Sequence, residues 1–560
     1  MSEAKPAKDH LAAARRRWVS ALAHEAHNAP GRLMFWTVAL VVGVMAGYAS
    51  IGFRLSIDVL QTQFYGAADA TIHSHAARLN PWLIFIIPVL GGLAVGLIIQ
   101  HFTPRARVLT VADVIAAAAI RDSRVGKRAG LASAAASLIT LSTGGSGGRE
   151  GPVVHIAAVI AAWVSNRLDH HGIAARDILG CAVASAVSAS FNAPLAGTLF
   201  ALEVVLRHYA LHAFGPIVMA SVAGAVIARI HVSEVTEYSL PINSLGFYEE
   251  MPAFLLLGVI CAIVAVVMMR TLFAAEDAAD RWQKKFNTPI WLRPTLAGAL
   301  LGAIAIPFPH IIGVGYETTS HALTGQFALW TAISFAVVKG VAVTITYAGR
   351  MGGGIFSPSL MLGALTGLAF GEIATEVFPS LPGTDGLYAL AGMGAVAAAV
   401  LGAPISTTLI VFELTGDYQA AIAVMISVSI SSVLSHRFVW KSFFLSQLKR
   451  DGVALGAGAV RFLPGTIAVK DLIRIRGADD GASDTACWAL AEQGAKLARS
   501  STLADALTIF DAQRLEFLPI IDPPGPGEPG TGELIGALFH IDALKALNRA
   551  LVERDQERGG

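Results

Sequence analysis

A chain of 560 residues that is 54% hydrophobic and only 14% charged lies far from the roughly 25% charged content of an ordinary soluble domain. A net charge of +1 excludes the basic footprint of a nucleic-acid binder. Three scattered cysteines, Cys181, Cys261 and Cys487, form no metal or disulfide pattern. The composition predicts a polytopic membrane protein.

Residues 1–31 are polar and carry Lys5, Lys8 and Arg15, Arg16 and Arg17; they hold no cleavable signal and are expected to stay cytoplasmic under the positive-inside rule. The basic stretches 121–128, 281–285 and 441–450 are expected on the same side. Apolar runs follow at 33–50, 81–100, 131–143, 153–164, 178–206, 214–230, 251–269, 296–312, 328–348, 360–377 and 387–434. Several reach the roughly 20 residues that a bilayer crossing needs, and others are too short to cross alone. The high glycine content, 55 residues, points to close helix packing and interrupted helices. Residues 32–450 are therefore read as the membrane region, 451–464 as a linker and 465–560 as a cytoplasmic domain.

Two glycine-hinged helix starts stand out within the membrane region. The first runs from Gly144 through Gly148, Arg149, Glu150, Gly151 and Pro152, and the second from Gly352 through Gly354, Ile355, Phe356, Ser357 and Pro358. Proline suits the first turn of a helix, where its missing N–H goes unused. A helix start in lipid offers free N–H groups and a positive dipole end that suit an anion. Paired interrupted segments in corresponding halves are a sequence pointer to a midplane site in a repeat-built transporter. Glu150 sits where a bound anion would sit, which makes it a candidate gate. It could instead be a plain helix-capping carboxylate, although an ionisable group inside an apolar region is costly without a function.

In the tail, 502–511 reads as a helix, 516–521 as a strand, 523–532 as a loop, 534–539 as a second strand, and Asp542 as the cap of a helix through Ala550. That order resembles one CBS repeat, with 469–472 resembling the opening of a shortened preceding one.

The membrane motifs resemble those of the CLC family of chloride channels and chloride/proton antiporters. The match rests on Gly148-Arg149-Glu150-Gly151-Pro152, on Gly354-Ile355-Phe356-Ser357-Pro358, on Phe191-Asn192-Ala193-Pro194 with Phe200-Ala201-Leu202-Glu203, and on Gly402-Ala403-Pro404 with Phe412-Glu413-Leu414-Thr415-Gly416. The resemblance implies an all-α inverted-repeat helical fold with a small cytoplasmic α/β domain, assembled as a homodimer with one anion pore per subunit. It implies that Glu150 gates the pore, and that backbone groups around Gly148, Arg149, Gly151, Gly354, Ile355 and Phe356 bind chloride. Family members commonly place a serine where Leu109 stands, and a tyrosine that aligns with Phe444; Thr110 is a substitute candidate for the lost hydroxyl. The internal proton-transfer glutamate of the antiporters falls at Val204, directly after Glu203.

Those departures favour channel-like, pH-dependent chloride conduction. Coupled chloride/proton exchange by a non-standard route, with Glu203 or water carrying the proton, is the alternative. Glu203 and Glu413 read either as carboxylates satisfied at helix ends or, for Glu203, as a proton relay. Arg149 is read as a structural residue of the helix start, Phe356 as pore lining or core, and His155 as a packing residue or a tuner of the gate. The glycine-rich loop lacks the lysine and hydroxyl of a phosphate-binding P-loop, and no nucleophile–base set is visible, so no enzyme is expected. No cofactor is expected either, beyond chloride as the transported ligand; an adenine nucleotide at the CBS-like tail is the regulatory alternative. A bacterial inner membrane, with both termini cytoplasmic, is the expected location.

Overall fold

The computed structural model describes residues 5–559 apart from 104–106, 121–124, 169–171, 208, 210, 233–249, 378–383, 440, 454–462, 478–480, 514 and 523–531. Part of the basic stretch expected at 121–128, most of the linker expected at 451–464 and most of the tail loop expected at 523–532 thus lie outside the described residues.

The membrane region is built from two successive sets of helices. The first comprises α1 (Lys5–Tyr65), α2 (Ile72–Ala76), α3 (Pro81–Phe102), α4 (Val111–Ile120), α5 (Lys127–Ser142), α6 (Glu150–Arg167), α7 (Gly172–Phe191), α8 (Pro194–Phe200) and α9 (Leu211–Val232). The second comprises α10 (Met251–Phe286), α11 (Leu292–Ala305), α12 (Tyr316–Leu323), α13 (Leu329–Ala348), α14 (Phe356–Val377), α15 (Asp385–Leu401), α16 (Pro404–Thr415), α17 (Tyr418–Phe438) and α18 (Phe443–Arg450). Among the described residues, 7 helices are long and apolar enough to cross a membrane, and shorter apolar helices lie between them. The protein is an integral, multi-pass membrane protein.

The longest apolar runs are not single spans, and the reasons are local. Run 178–206 breaks at Asn192, which adopts φ 54, and Pro194 opens α8. Run 387–434 breaks twice, at Gly402 (φ 69) and Gly416 (φ 66). Both glycines close a helix in the left-handed conformation, which side chains disfavour. Asp417 then starts α17 by accepting the N–H groups of Gln419 at 2.8 Å and Ala420 at 3.2 Å. Small residues let helices approach where lipid supplies no hydrophobic drive between them. A side chain at Gly363 of α14 would run into the Gly392 carbonyl of α15.

The two sets are tied by a reciprocal exchange. Glu413, near the C-terminal end of α16, accepts the N–H groups of Leu195 (2.9 Å) and Ala196 (2.7 Å) at the start of α8. Glu203, just past the end of α8, accepts those of Ile405 (3.2 Å) and Ser406 (2.8 Å) at the start of α16. Each carboxylate caps the other helix, so α8 and α16 run antiparallel and the two motifs are related by inversion. Both acids thus occupy helix ends.

In the tail, α19 (Leu463–Thr466), α20 (Asp484–Glu492), α21 (Leu503–Gln513) and α22 (His540–Gly559) surround strands β1 (Arg474–Ile475), β2 (Phe517–Asp522) and β3 (Glu533–Phe539). The sheet is antiparallel with order β1-β3-β2, and the expected helix–strand–strand–helix order is present. The final helix starts at His540, earlier than expected. Asp542 therefore lies inside its first turn and takes the Arg474 guanidinium at 2.7 Å rather than capping the helix.

Replacing Glu413 by alanine leaves two N–H groups at the α8 start without their acceptor. A loss of about 1–3 kcal/mol is expected for such stranded groups. It should be read as a lower thermal midpoint of the detergent-solubilised protein, while Glu413→Gln retains part of the stability.

Candidate anion site

The two glycine hinges meet backbone to backbone. Gly148 N–H donates to the Gly354 carbonyl at 2.7 Å, and Gly354 N–H donates to the Gly148 carbonyl at 2.6 Å. A Cβ at Gly354 would lie 2.9 Å from the Gly151 nitrogen. The pairing corrects one sequence expectation: the N–H groups of Gly148 and Gly354 are consumed by each other and cannot coordinate an anion. The first turns of α6 and α14 leave other N–H groups outside the helical ladder, at Gly151 and Phe356.

Glu150, at the first position of α6, is 3% exposed. Its Oε1 accepts from the Ser357 hydroxyl at 2.6 Å and from the Tyr316 hydroxyl at 3.3 Å. Tyr316 lies beneath the Arg149 guanidinium, 4.9 Å from its ring centre, and Arg149 also donates to the Ser190 carbonyl at 3.2 Å. The arginine is thus engaged with Tyr316 and Ser190 beside the start of α6. Phe356 packs its ring against Phe191, with centres 5.0 Å apart, and more loosely against Phe200; the ring belongs to the core.

An inner cavity of about 40 Å³ is lined by Leu109, Thr110, Gly151, Ile355 and Phe444, together with Ser146 and Tyr347. With Gly354, which also lines it, six positions singled out in the sequence are thus brought to one place. Leu109 supplies no hydroxyl, and its N–H donates to Ser133 Oγ at 3.0 Å. Thr110 does not replace the lost serine as a donor, because its hydroxyl donates to Gln447 Oε1 at 3.2 Å. The hydroxyls of Tyr347 and Ser146 are buried with no hydrogen-bond partner among the described residues. They are side-chain hydroxyls that this cavity has to offer an occupant.

A second cavity, of about 420 Å³, lies at the start of α18, the helix that leads into the tail, and is lined by Glu203, Val204, Arg207 and Phe444, among others. Phe444, 4% exposed, borders both cavities and stands between them. Val204 faces this cavity without a titratable group, and Glu203 is engaged in capping α16. His155 is 1% exposed, and neither ring nitrogen has a hydrogen-bond partner among the described residues.

Sequence reasoning missed Tyr316, Ser357, Ser146 and Tyr347, whose roles depend on contacts between distant segments. It also passed over Lys339, fully buried in α13, whose Nζ donates to the carbonyls of Ile311 (3.2 Å) and Gly313 (3.1 Å). Asp69 stands close by, accepting from Val314 N–H at 3.2 Å. A lysine inside an apolar run was a legible signal, since an intramembrane charge marks a functional or structural site by default.

Interrupted helices that meet at paired glycines, with one buried carboxylate at the junction, define a membrane anion channel or transporter built from repeats. The family model described as voltage gated chloride channel matches residues 91–436, well over half of the chain. The chain belongs to that family, the CLC channels and transporters.

Among its relatives, the voltage-gated ClC-type chloride channel ClcB of Escherichia coli is 28% identical over 71% of this chain and 94% of that protein. The fold is shared with a slow cyanobacterial Cl⁻/H⁺ antiporter, with TM-score 0.65 and 20% identity over 74% of this chain and 97% of that one. It is shared also with a eukaryotic CLC transporter, with TM-score 0.64 and 19% identity over 92% of this chain and 89% of that one.

Gly354→Ala forces a methyl group against the α6 backbone, an overpacking expected to cost about 1–3 kcal/mol. Chloride efflux from reconstituted vesicles should fall, together with a lower thermal midpoint.

Proposed function

We propose that the chain conducts chloride in a channel-like manner through a pore gated by Glu150. The observation that carries the reading is the placement of the Glu150 carboxylate at the junction of α6 and α14, held by the Ser357 and Tyr316 hydroxyls. Ionised, the carboxylate occupies the place of an anion at the helix starts. Protonated, it loses its charge and its claim on those N–H groups, and chloride takes the position. Main-chain amides at Gly151 and Phe356, with the free hydroxyls of Tyr347 and Ser146, replace part of the ion's hydration shell. The remaining donors are few and neutral, which suits permeation, since an ion held too strongly does not leave. Phe444, between the two cavities, forms the inner constriction.

In this reading the protein works as a homodimer in a bacterial inner membrane, with both termini and the tail on the cytoplasmic side. Glu203 and Val204 leave no carboxylic acid free to carry protons inward, which favours conduction over exchange. The second reading, coupled chloride/proton exchange, draws support from the fold shared with the cyanobacterial antiporter and needs water to carry the proton past Val204.

Glu150→Gln should give a conductor that stays open and does not respond to external pH, measured as chloride efflux from vesicles. Efflux and pH response identical to the parent protein would remove Glu150 from the gate. A chloride gradient that drives protons uphill in sealed vesicles would establish exchange instead. Hydrogen bonds to a carboxylate favour its ionised form, so Ser357→Ala or Tyr316→Phe should move the half-activation pH upward. A bond to a charged group is worth about 1.5–3 kcal/mol, so the expected displacement is about one to two pH units in the efflux profile. Deleting 465–560 tests a regulatory tail: loss of a response of chloride efflux to added ATP assigns an adenine nucleotide to it.

A further inference from the structure

We propose that the cavity on the tail side of Phe444 is a binding site for a phosphoryl dianion, centred on Arg207. Four observations converge on it.

The first is backbone conformation. Arg207 closes a π-helical turn, Ala201–Leu206, and adopts φ 54; Lys441, which lines the same cavity, adopts φ 58. Both are non-glycine residues in the left-handed region. Such strain persists where the surroundings over-determine it, commonly at ligand sites, and π-turns recur at functional positions.

The second is an unused donor. Arg207 Nη1 is buried and has no hydrogen-bond partner among the described residues. A buried guanidinium N–H without an acceptor is costly, and an anion in the cavity would satisfy it.

The third is charge balance. His436, Ser442 and Tyr209 join the two cations around the cavity, and Glu203 is the one carboxylate among its lining residues. Glu203 already accepts the N–H groups of Ile405 and Ser406, so its charge is offset by the α16 start. Position 204, with valine, adds no second acid. The field in the cavity therefore favours an anion.

The fourth is size. At about 420 Å³ the cavity is some ten times the volume of the inner one, at about 40 Å³. A bare halide would touch few of these walls at once. The planar fork of a guanidinium matches the oxygens of a phosphate in a two-point contact, and Lys441 and Ser442 line the same cavity. A small soluble phosphate or a lipid phosphate headgroup carries that chemistry. Either one, once bound, sits across the tail side of Phe444 and slows chloride there; that consequence rests on the conduction reading, whereas the binding does not.

The test is titration calorimetry of the full-length protein in detergent with inorganic phosphate, and in parallel with nanodiscs containing or lacking phosphatidic acid. Binding of inorganic phosphate that weakens tenfold or more in Arg207→Gln, with Arg207→Lys keeping part of it, supports a soluble ligand. Binding seen only with phosphatidic acid, and lost in the same variant, supports the headgroup. Both variants are first checked for a single gel-filtration peak and a parental thermal midpoint, and Lys441→Gln serves in place of any that fails. No binding in either arm, or equal affinity in parent and variants, overturns the proposal. In vesicles, phosphate on the tail side should slow chloride efflux in the parent and not in Arg207→Gln. Phosphate binding that depends on Arg207, alongside efflux indifferent to Glu150→Gln, would retain this site and discard the gate.

Discussion

Two hydrogen bonds between Gly148 and Gly354 hold the membrane region together at its most vulnerable point. Inside a bilayer every broken helix strands backbone groups that lipid cannot satisfy, so irregular backbone survives only where protein supplies the partners. Here each hinge satisfies the other, and the exchange leaves no room for a side chain on either glycine. The mutual pairing also decides what is left over. With Gly148 and Gly354 engaged, the N–H groups that remain outside the helical ladder are those one step further into α6 and α14, beside Glu150.

The same logic of mutual satisfaction recurs where α8 and α16 begin. Glu203 and Glu413 are carboxylates in apolar sequence that carry out equivalent capping on opposite copies of one motif. A charged acceptor shared between two N–H groups is a strong neutraliser of a helix start. This explains how acids are tolerated at these positions. It also removes from the tail-side cavity the one acid among its lining residues, leaving that cavity to Arg207, Lys441 and His436.

The polar resources of the inner cavity come from distant segments. Leu109 and Phe444 bring no hydroxyl to it, yet the cavity is not stripped of them. Tyr347 arrives from α13 and Ser146 from the first hinge, while Thr110 is diverted to Gln447. Ser357 and Tyr316 meanwhile direct their hydroxyls at the Glu150 carboxylate, and Arg149 is turned toward Ser190 and Tyr316.

The amino-acid sequence alone determined the membrane character, the two hinges, the family and the position of Glu150, because apolar run length and glycine–proline punctuation are local signals. The tail order was legible for the same reason, through alternating strand patterns flanked by helix formers. Run 178–206 already contained its break at Asn192 and Pro194, but an apolar stretch of that length reads as continuous when only hydropathy is weighed. What tertiary structure alone decided were contacts between segments far apart in the chain. The pairing that withdraws the amides of Gly148 and Gly354, the hydroxyls of Ser357 and Tyr316 on Glu150, and the lone guanidinium edge of Arg207 all depend on which surfaces the inverted halves bring together. No local rule encodes that, since hydrogen-bond partners are chosen by three-dimensional proximity and not by spacing along the chain.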